Sequence, residues 1–242
     1  MKLSHTIFIF LVIYTLLLTI VNAQENSNYK KLISETNIMY GSNDLLHSGE
    51  IYQPEHTHAK GDPYFLTNDY SPALVTVKGN VFENITARYN IETDRLVILT
   101  PADSNSVTRI TVKQNWLDSF KIYDHLFVNI SNFDSTRNLK GYYELVYRGK
   151  KSFFIKYSKR FIDTYNDLSP AGFYSVVKTS FCIFDGSRFT PVKNKKMFLQ
   201  LFAENKAPVK KYLRTNKIKF SKASSDQLKK LMQFSDGLSR QN

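Results

Sequence analysis

Three spacings of apolar residues follow one another along this chain, and each predicts a different kind of structure. Over residues 7–20 the apolar positions are almost continuous, broken only by threonines and a tyrosine. Lys2 and His5 precede the run, and Val21-Asn22-Ala23 closes it with small residues where a signal peptidase reads. A basic start, an apolar centre and an A-x-A-like exit are the three parts of a secretory signal. A membrane-spanning helix wants about 20 apolar residues, and Gln24-Glu25-Asn26 turns polar before that length is reached. The expectation is a signal peptide over residues 1–23, a mature chain starting at Gln24, and a polar N-terminal segment over 24–62.

Over residues 63–193 the period falls to two, which predicts half-buried strands. In the longest stretch, Val81, Ile85, Ala87, Tyr89 and Ile91 are assigned to one face and Asn84, Thr86, Arg88 and Asn90 to the other. Turns at Lys78-Gly79-Asn80 and Glu92-Thr93-Asp94 join it to strands over 74–77 and 96–99. Further strands are expected over 107–112 and 120–130. One hairpin joins 142–147 to 152–161 around Arg148-Gly149-Lys150, and another joins 173–184 to 189–192 around Asp185-Gly186. Turn residues at this spacing predict a meandering, curved antiparallel sheet.

After Val192 the period changes again. Met197, Phe198, Leu201 and Phe202 recur at helical spacing, and Pro208 suits the first turn of a helix with Val209, Tyr212 and Leu213 on its apolar side. Ser224 or Ser225 is placed as the cap of a last helix, with Leu228, Leu231 and Met232 inward and an end near Gly237. The fold class is therefore α+β: a mainly antiparallel sheet with a short, basic helical segment over 194–242 packed on it.

Composition adds two constraints. Hydrophobic residues at 42% and aromatics at 14% are enough for a core and exclude disorder for most of the chain. Charge is unevenly placed. From Lys193 onward there are 13 Lys or Arg against three acids (Glu204, Asp226 and Asp236), whereas residues 24–192 are close to neutral. The ordinary reading of such a run is a solvated helix face. The alternative is a surface for anionic lipid or polysaccharide. An exported protein rarely meets DNA or RNA, so nucleic acid is not an expected partner.

Candidate chemistry is sparse. There is no G-x-G-x-x-G or Walker-type loop, no H-E-x-x-H and no G-x-S-x-G elbow. Cys182 lies within Phe181-Cys182-Ile183-Phe184 and reads as a buried small hydrophobe. The single S-x-x-K, Ser175 to Lys178, is read as lying in a strand, where residues three apart face opposite ways. Glu55-His56-Thr57-His58 with Asp62 nearby is the closest approach to a metal site, but two histidines do not make one. His125 reads as a strand-edge histidine, and Glu92 and Asp94 as carboxylates at a wet hairpin tip. The sequons at Asn84 and Asn129 fall within expected strands and read as coincidence. No catalytic residue, cofactor or metal ligand is assigned.

Gly61-Asp62-Pro63-Tyr64-Phe65-Leu66, Val77-Lys78-Gly79-Asn80-Val81-Phe82-Glu83-Asn84-Ile85 and Tyr89-Asn90-Ile91-Glu92-Thr93-Asp94 follow in an order similar to that of uncharacterised exported proteins of Gram-negative bacteria. The resemblance extends through Tyr142-Tyr143-Glu144-Leu145-Val146-Tyr147-Arg148-Gly149-Lys150, Asp185-Gly186 and Lys193-Asn194-Lys195-Lys196 to residues 226–238. It implies the compartment and the architecture and transfers no site residues. Three functions stay open: a non-catalytic envelope module whose curved sheet meets a protein partner or apolar ligand, a hydrolase with a dispersed site, and a binder of anionic lipid or polysaccharide.

Overall fold

The computed structural model describes residues 44–47, 49–101, 106–132, 139–164 and 169–238. The expected signal peptide lies outside the described residues. The chain divides into two compact units, residues 1–47 and 48–242. Of the first, only a short helix is described, α1 (Asp44–His47).

The second unit contains the sheet and the C-terminal helices. Its strands are β1 (Glu50–Ile51), β2 (Ser71–Val77), β3 (Asn80–Asn90), β4 (Arg95–Pro101), β5 (Val107–Thr111), β6 (Leu117–Ile122), β7 (His125–Asn129), β8 (Tyr142–Tyr147), β9 (Ser152–Ser158), β10 (Phe161–Ile162), β11 (Phe173–Tyr174), β12 (Lys178–Phe184) and β13 (Phe189–Val192). Eleven of them form one open antiparallel sheet in the order β1-β5-β4-β3-β2-β6-β7-β8-β9-β12-β13, and β10 and β11 form a separate pair. Most neighbours are consecutive in the chain, as hairpins with short turns require. At Lys78-Gly79 both turn residues have positive φ (48° and 78°), the geometry that a two-residue hairpin turn favours.

Four strands depart from the expected pattern. The stretch over 152–161 ends as β9 at Ser158, and Phe161 starts β10 in the separate pair. The stretch over 120–130 is two strands, because Tyr123-Asp124 forms a tight turn with Tyr123 in the left-handed region (φ 52°) and Ile122 opposite His125. Nothing in a Tyr-Asp pair announces such a turn. The stretch over 173–184 is also broken: residues 175–177 lie outside any strand, with Val176 83% exposed. In β3, Asn84 takes φ 57° and the pairing with β2 slips between Ala73 and Val75, a β-bulge. The bulge reverses the alternation, so Val81 is exposed while Ala87 and Tyr89 are buried. Bulges also interrupt β2–β6 and β8–β9.

One face of the sheet centre is filled by rings in mutual contact. Phe120 stacks on Phe127 at 4.9 Å, Tyr89 lies 4.9 Å from Phe127, and Tyr142 lies 5.2 Å from Phe120. The Gly61–Leu66 run brings Phe65 into this cluster, 5.0 Å from Phe127, because the Phe65 N–H donates to the Tyr89 carbonyl and the Ile91 N–H to that of Pro63. The Gly61–Leu66 run is therefore a packing device. Rings in such contact add to the burial of their own area.

The helices are α2 (Lys195–Leu201), α3 (Lys206–Thr215) and α4 (Ser225–Leu238). Asn194 caps α2 by accepting from the Met197 N–H. Ser224 caps α4 in a reciprocal box: its Oγ accepts from the Gln227 N–H, and the Gln227 side chain accepts from the Ser224 N–H. Phe198, Val209, Leu213, Leu228, Leu231 and Met232 pack on Phe153, Ile155, Phe181 and Ile183 of β9 and β12 in one buried cluster. Helical segment and sheet thus share a core.

Candidate functional site

The residues that close α3 shape a recess on the outer side of the helical segment. The Ile218 N–H donates to the Leu213 carbonyl and the Lys217 N–H to that of Arg214, while Lys217 sits at φ 51°. This is a Schellman closure, with Lys217 at the left-handed position that glycine usually occupies and Leu213 and Ile218 in their customary apolar pairing. The turn brings Lys217 and Lys219 back beside Lys210, Lys211 and Arg214 of α3, and Lys195 from the start of α2 completes a groove of about 710 Å³. Among the described residues Ala207, Leu213 and Ile218 complete its lining, and no carboxylate or aromatic ring lines it.

All six cations are exposed, and among the described residues none is within ion-pair distance of a carboxylate. The sheet behaves differently. There Arg95 pairs with Glu50 (3.2 Å), Lys156 with Asp94 (2.6 Å) and Lys159 with Asp62 (3.1 Å). Arg214 and Lys217 suit the C-terminal end of α3, where a cation offsets the helix dipole. Lys195 and Lys196 open α2, and Lys206 opens α3, where that dipole disfavours them; neither first turn holds an acid. Of the six groove cations only Lys195 stands at such a disfavoured end, so helix stability does not explain its place in the cluster. A second cleft, of about 530 Å³, has Arg95, Lys113 and Lys140 among its lining residues, but Glu50 also lines it and holds Arg95.

Three carboxylates, two of them buried, tie the framework together, and none reads as a hub from the sequence pattern. Glu144 on β8 is 3% exposed. It meets His125 Nδ1 at 2.7 Å and accepts from the Tyr157 hydroxyl at 2.5 Å and the Ser225 hydroxyl at 2.7 Å. Burial pushes Glu144 upward, but the hydrogen bonds from His125, Tyr157 and Ser225 outweigh it and hold the carboxyl below its ordinary value. The bond to Glu144 raises His125 in turn, against burial. Serine, histidine and carboxylate meet here in the wrong order for nucleophilic catalysis. The carboxylate is the centre, so the serine hydroxyl is bound by an acceptor rather than by the imidazole base.

Asp236 of α4, 1% exposed, accepts from the Tyr147 hydroxyl and from the backbone N–H groups of Lys150 and Lys151, fastening the β8–β9 hairpin tip to the helix. Asp94, expected at a wet tip, is largely covered and accepts from Tyr89 (2.5 Å) and Lys156 (2.6 Å). Glu92 accepts from the Phe161 N–H.

The other singled-out residues have plain structural settings. His56 stacks on Phe161 with centroids 3.5 Å apart, Asp62 holds Lys159, and among the described residues no three His, Cys, Asp or Glu side chains gather as a metal site. Cys182 is buried. Ser175 accepts from the Arg160 N–H and lies in the coil before β12, a correction to its expected place in a strand. The Asn129 side-chain amide is buried and donates to the carbonyls of Gln114 and Leu117. Among the described residues no helix is long and apolar enough to cross a membrane.

No family model, curated protein or solved structure matches the chain significantly.

Proposed function

We propose that this chain is a non-catalytic binding module, exported by the segment over residues 1–23, that engages an anionic partner through the groove on its C-terminal helices. One observation carries the reading: six cations surround a single recess, and among the described residues none of them is ion-paired and no carboxylate lines it. A surface serving solubility alone is expected to intersperse both signs of charge, and among the described residues no carboxylate lines this groove. The aromatic packing of the sheet face leaves its rings occupied with one another, which weighs against a carrier of apolar ligands. The hydrogen-bond order around Glu144 weighs against a hydrolase.

Titration of the purified mature protein with anionic vesicles and with a sulfated polysaccharide tests the reading. Binding is expected to at least one of them at low salt and should weaken as the Debye length shrinks to about 8 Å at physiological ionic strength. No binding to either at low ionic strength sinks it. Export has its own test: mass spectrometry of the protein from the producing cell should find Gln24 at the N-terminus.

A further inference from the structure

We propose that the groove holds a single polyanionic chain, an acidic polysaccharide lying along α3; this rests on the reading of the groove as the binding surface. The shape argues for a chain over a flat membrane. Leu213 and Ile218, both buried, lie in the floor, whereas the cations stand exposed around it. A flat bilayer reaches the lysine tips and leaves the recess empty, but a chain enters it and meets the cations that line it. Lys210 and Arg214 are one helical turn apart, about 6 Å along the axis, so positive charge repeats along the groove as negative charge repeats along a uronate or sulfate chain.

The lining also discriminates between polyanions. Binders of single-stranded nucleic acid offer aromatic platforms on which bases stack, and among the described residues no ring lines this groove. Carboxylate and sulfate groups need only clustered Lys and Arg.

The molecule contains its own control. Lys229 and Lys230 are exposed on α4 and do not line the groove. Two variants with the same charge change, K210Q/K211Q and K229Q/K230Q, are titrated with a heparin-like oligosaccharide, anionic vesicles and a single-stranded oligonucleotide across a salt series. The groove variant should bind the oligosaccharide about tenfold or more weakly, with a salt slope lower by up to about two counterions. The α4 variant should keep the wild-type affinity within about twofold. Circular dichroism melting verifies that both variants are folded. Equal loss in the two variants overturns the proposal, since total charge then suffices. Binding to vesicles but not to the oligosaccharide overturns the chain while leaving the groove as the binding surface. Tighter binding of the oligonucleotide also overturns it, and no binding to any probe removes both readings.

Discussion

At the end of α3 the backbone passes through Lys217 in a conformation that an L-residue with a Cβ resists by about 1 kcal/mol or more. Replacing it with glycine removes the clash and the cation together. Lys217→Gly should leave stability unchanged or raise it by about 1 kcal/mol in denaturant unfolding, while weakening polyanion binding. Loss of stability without loss of binding would show that the lysine is there for the helix end alone. Glu144 carries a different kind of weight: it meets three partners, and in Glu144→Gln one carboxylate oxygen becomes an amide nitrogen that cannot accept, so part of the network loses its acceptor. Glu144→Gln should cost about 2 kcal/mol at pH 6. Its pH dependence follows from the shifts. His125 is raised when folded, so its contribution is present below its ordinary value of 6.5 and is lost as pH rises through the folded value. Glu144 is lowered, so its contribution is present above 4.5 and is lost as pH falls through the folded value. The pair therefore stabilises most between those limits, and the thermal midpoint of the wild type should fall off on both sides more steeply than that of Glu144→Gln. Parallel profiles for the two proteins would contradict this assignment.

Among the elements, α4 shows how far local pattern reaches. Ser224-Ser225-Asp226-Gln227 is legible as a cap, and the box it forms satisfies backbone donors that the helix leaves open. Ser224→Ala should lower stability by about 1 kcal/mol, read as a shift in denaturation midpoint at unchanged slope. A change in slope would instead indicate an altered unfolded or native state. The inward positions Leu228, Leu231 and Met232 were equally legible, because helical period alone places them on one face. Strand limits were less so. The turn at Tyr123-Asp124 and the bulge at Asn84 are each a single residue adopting positive φ, and neither carries glycine or proline to mark it. Such geometry is imposed by pairing with distant strands, so a period-two reading runs straight through it. The carboxylate hubs were hidden for the same reason: Glu144 meets Ser225, and Asp236 meets Lys150, only after β8, β9 and α4 have packed. The excess of basic residues in the helical segment could be counted in advance. Which six cations share a recess depends on the left-handed turn at Lys217: Asn216 marks a helix stop, but the left-handed position itself holds a lysine rather than the glycine that would announce it.

For the second unit as a whole, residues 48–242, the question is whether helices and sheet are separable. Period and charge both change near Val192, which makes the helical segment look like an appendage in the sequence. The packing points the other way. Phe153, Ile155, Phe181 and Ile183 from the strands share one buried cluster with Phe198, Val209, Leu213, Phe220, Leu228, Leu231 and Met232 from the helical segment. Phe220 lies 5.3 Å from Phe181 and 4.9 Å from Phe198, bridging the two. Glu144–Ser225 and Asp236–Lys150 add polar ties across the same boundary. Neither side can leave without exposing the apolar surface of the other, so unfolding should be a single cooperative event. Far-ultraviolet dichroism near 222 nm, a general marker of helix, and the near-ultraviolet signal of the tyrosine-rich sheet face should therefore melt at the same midpoint. Leu231→Ala opens a cavity under α4 and is expected to cost about 2–5 kcal/mol. If the unit is cooperative, that loss moves both signals together, although the clustered rings around Phe120 and Phe127 lie on a part of the sheet that Leu231 does not pack against. An earlier helical transition, with the aromatic signal left at its wild-type midpoint, would mean that the groove is carried on an independently unfolding segment.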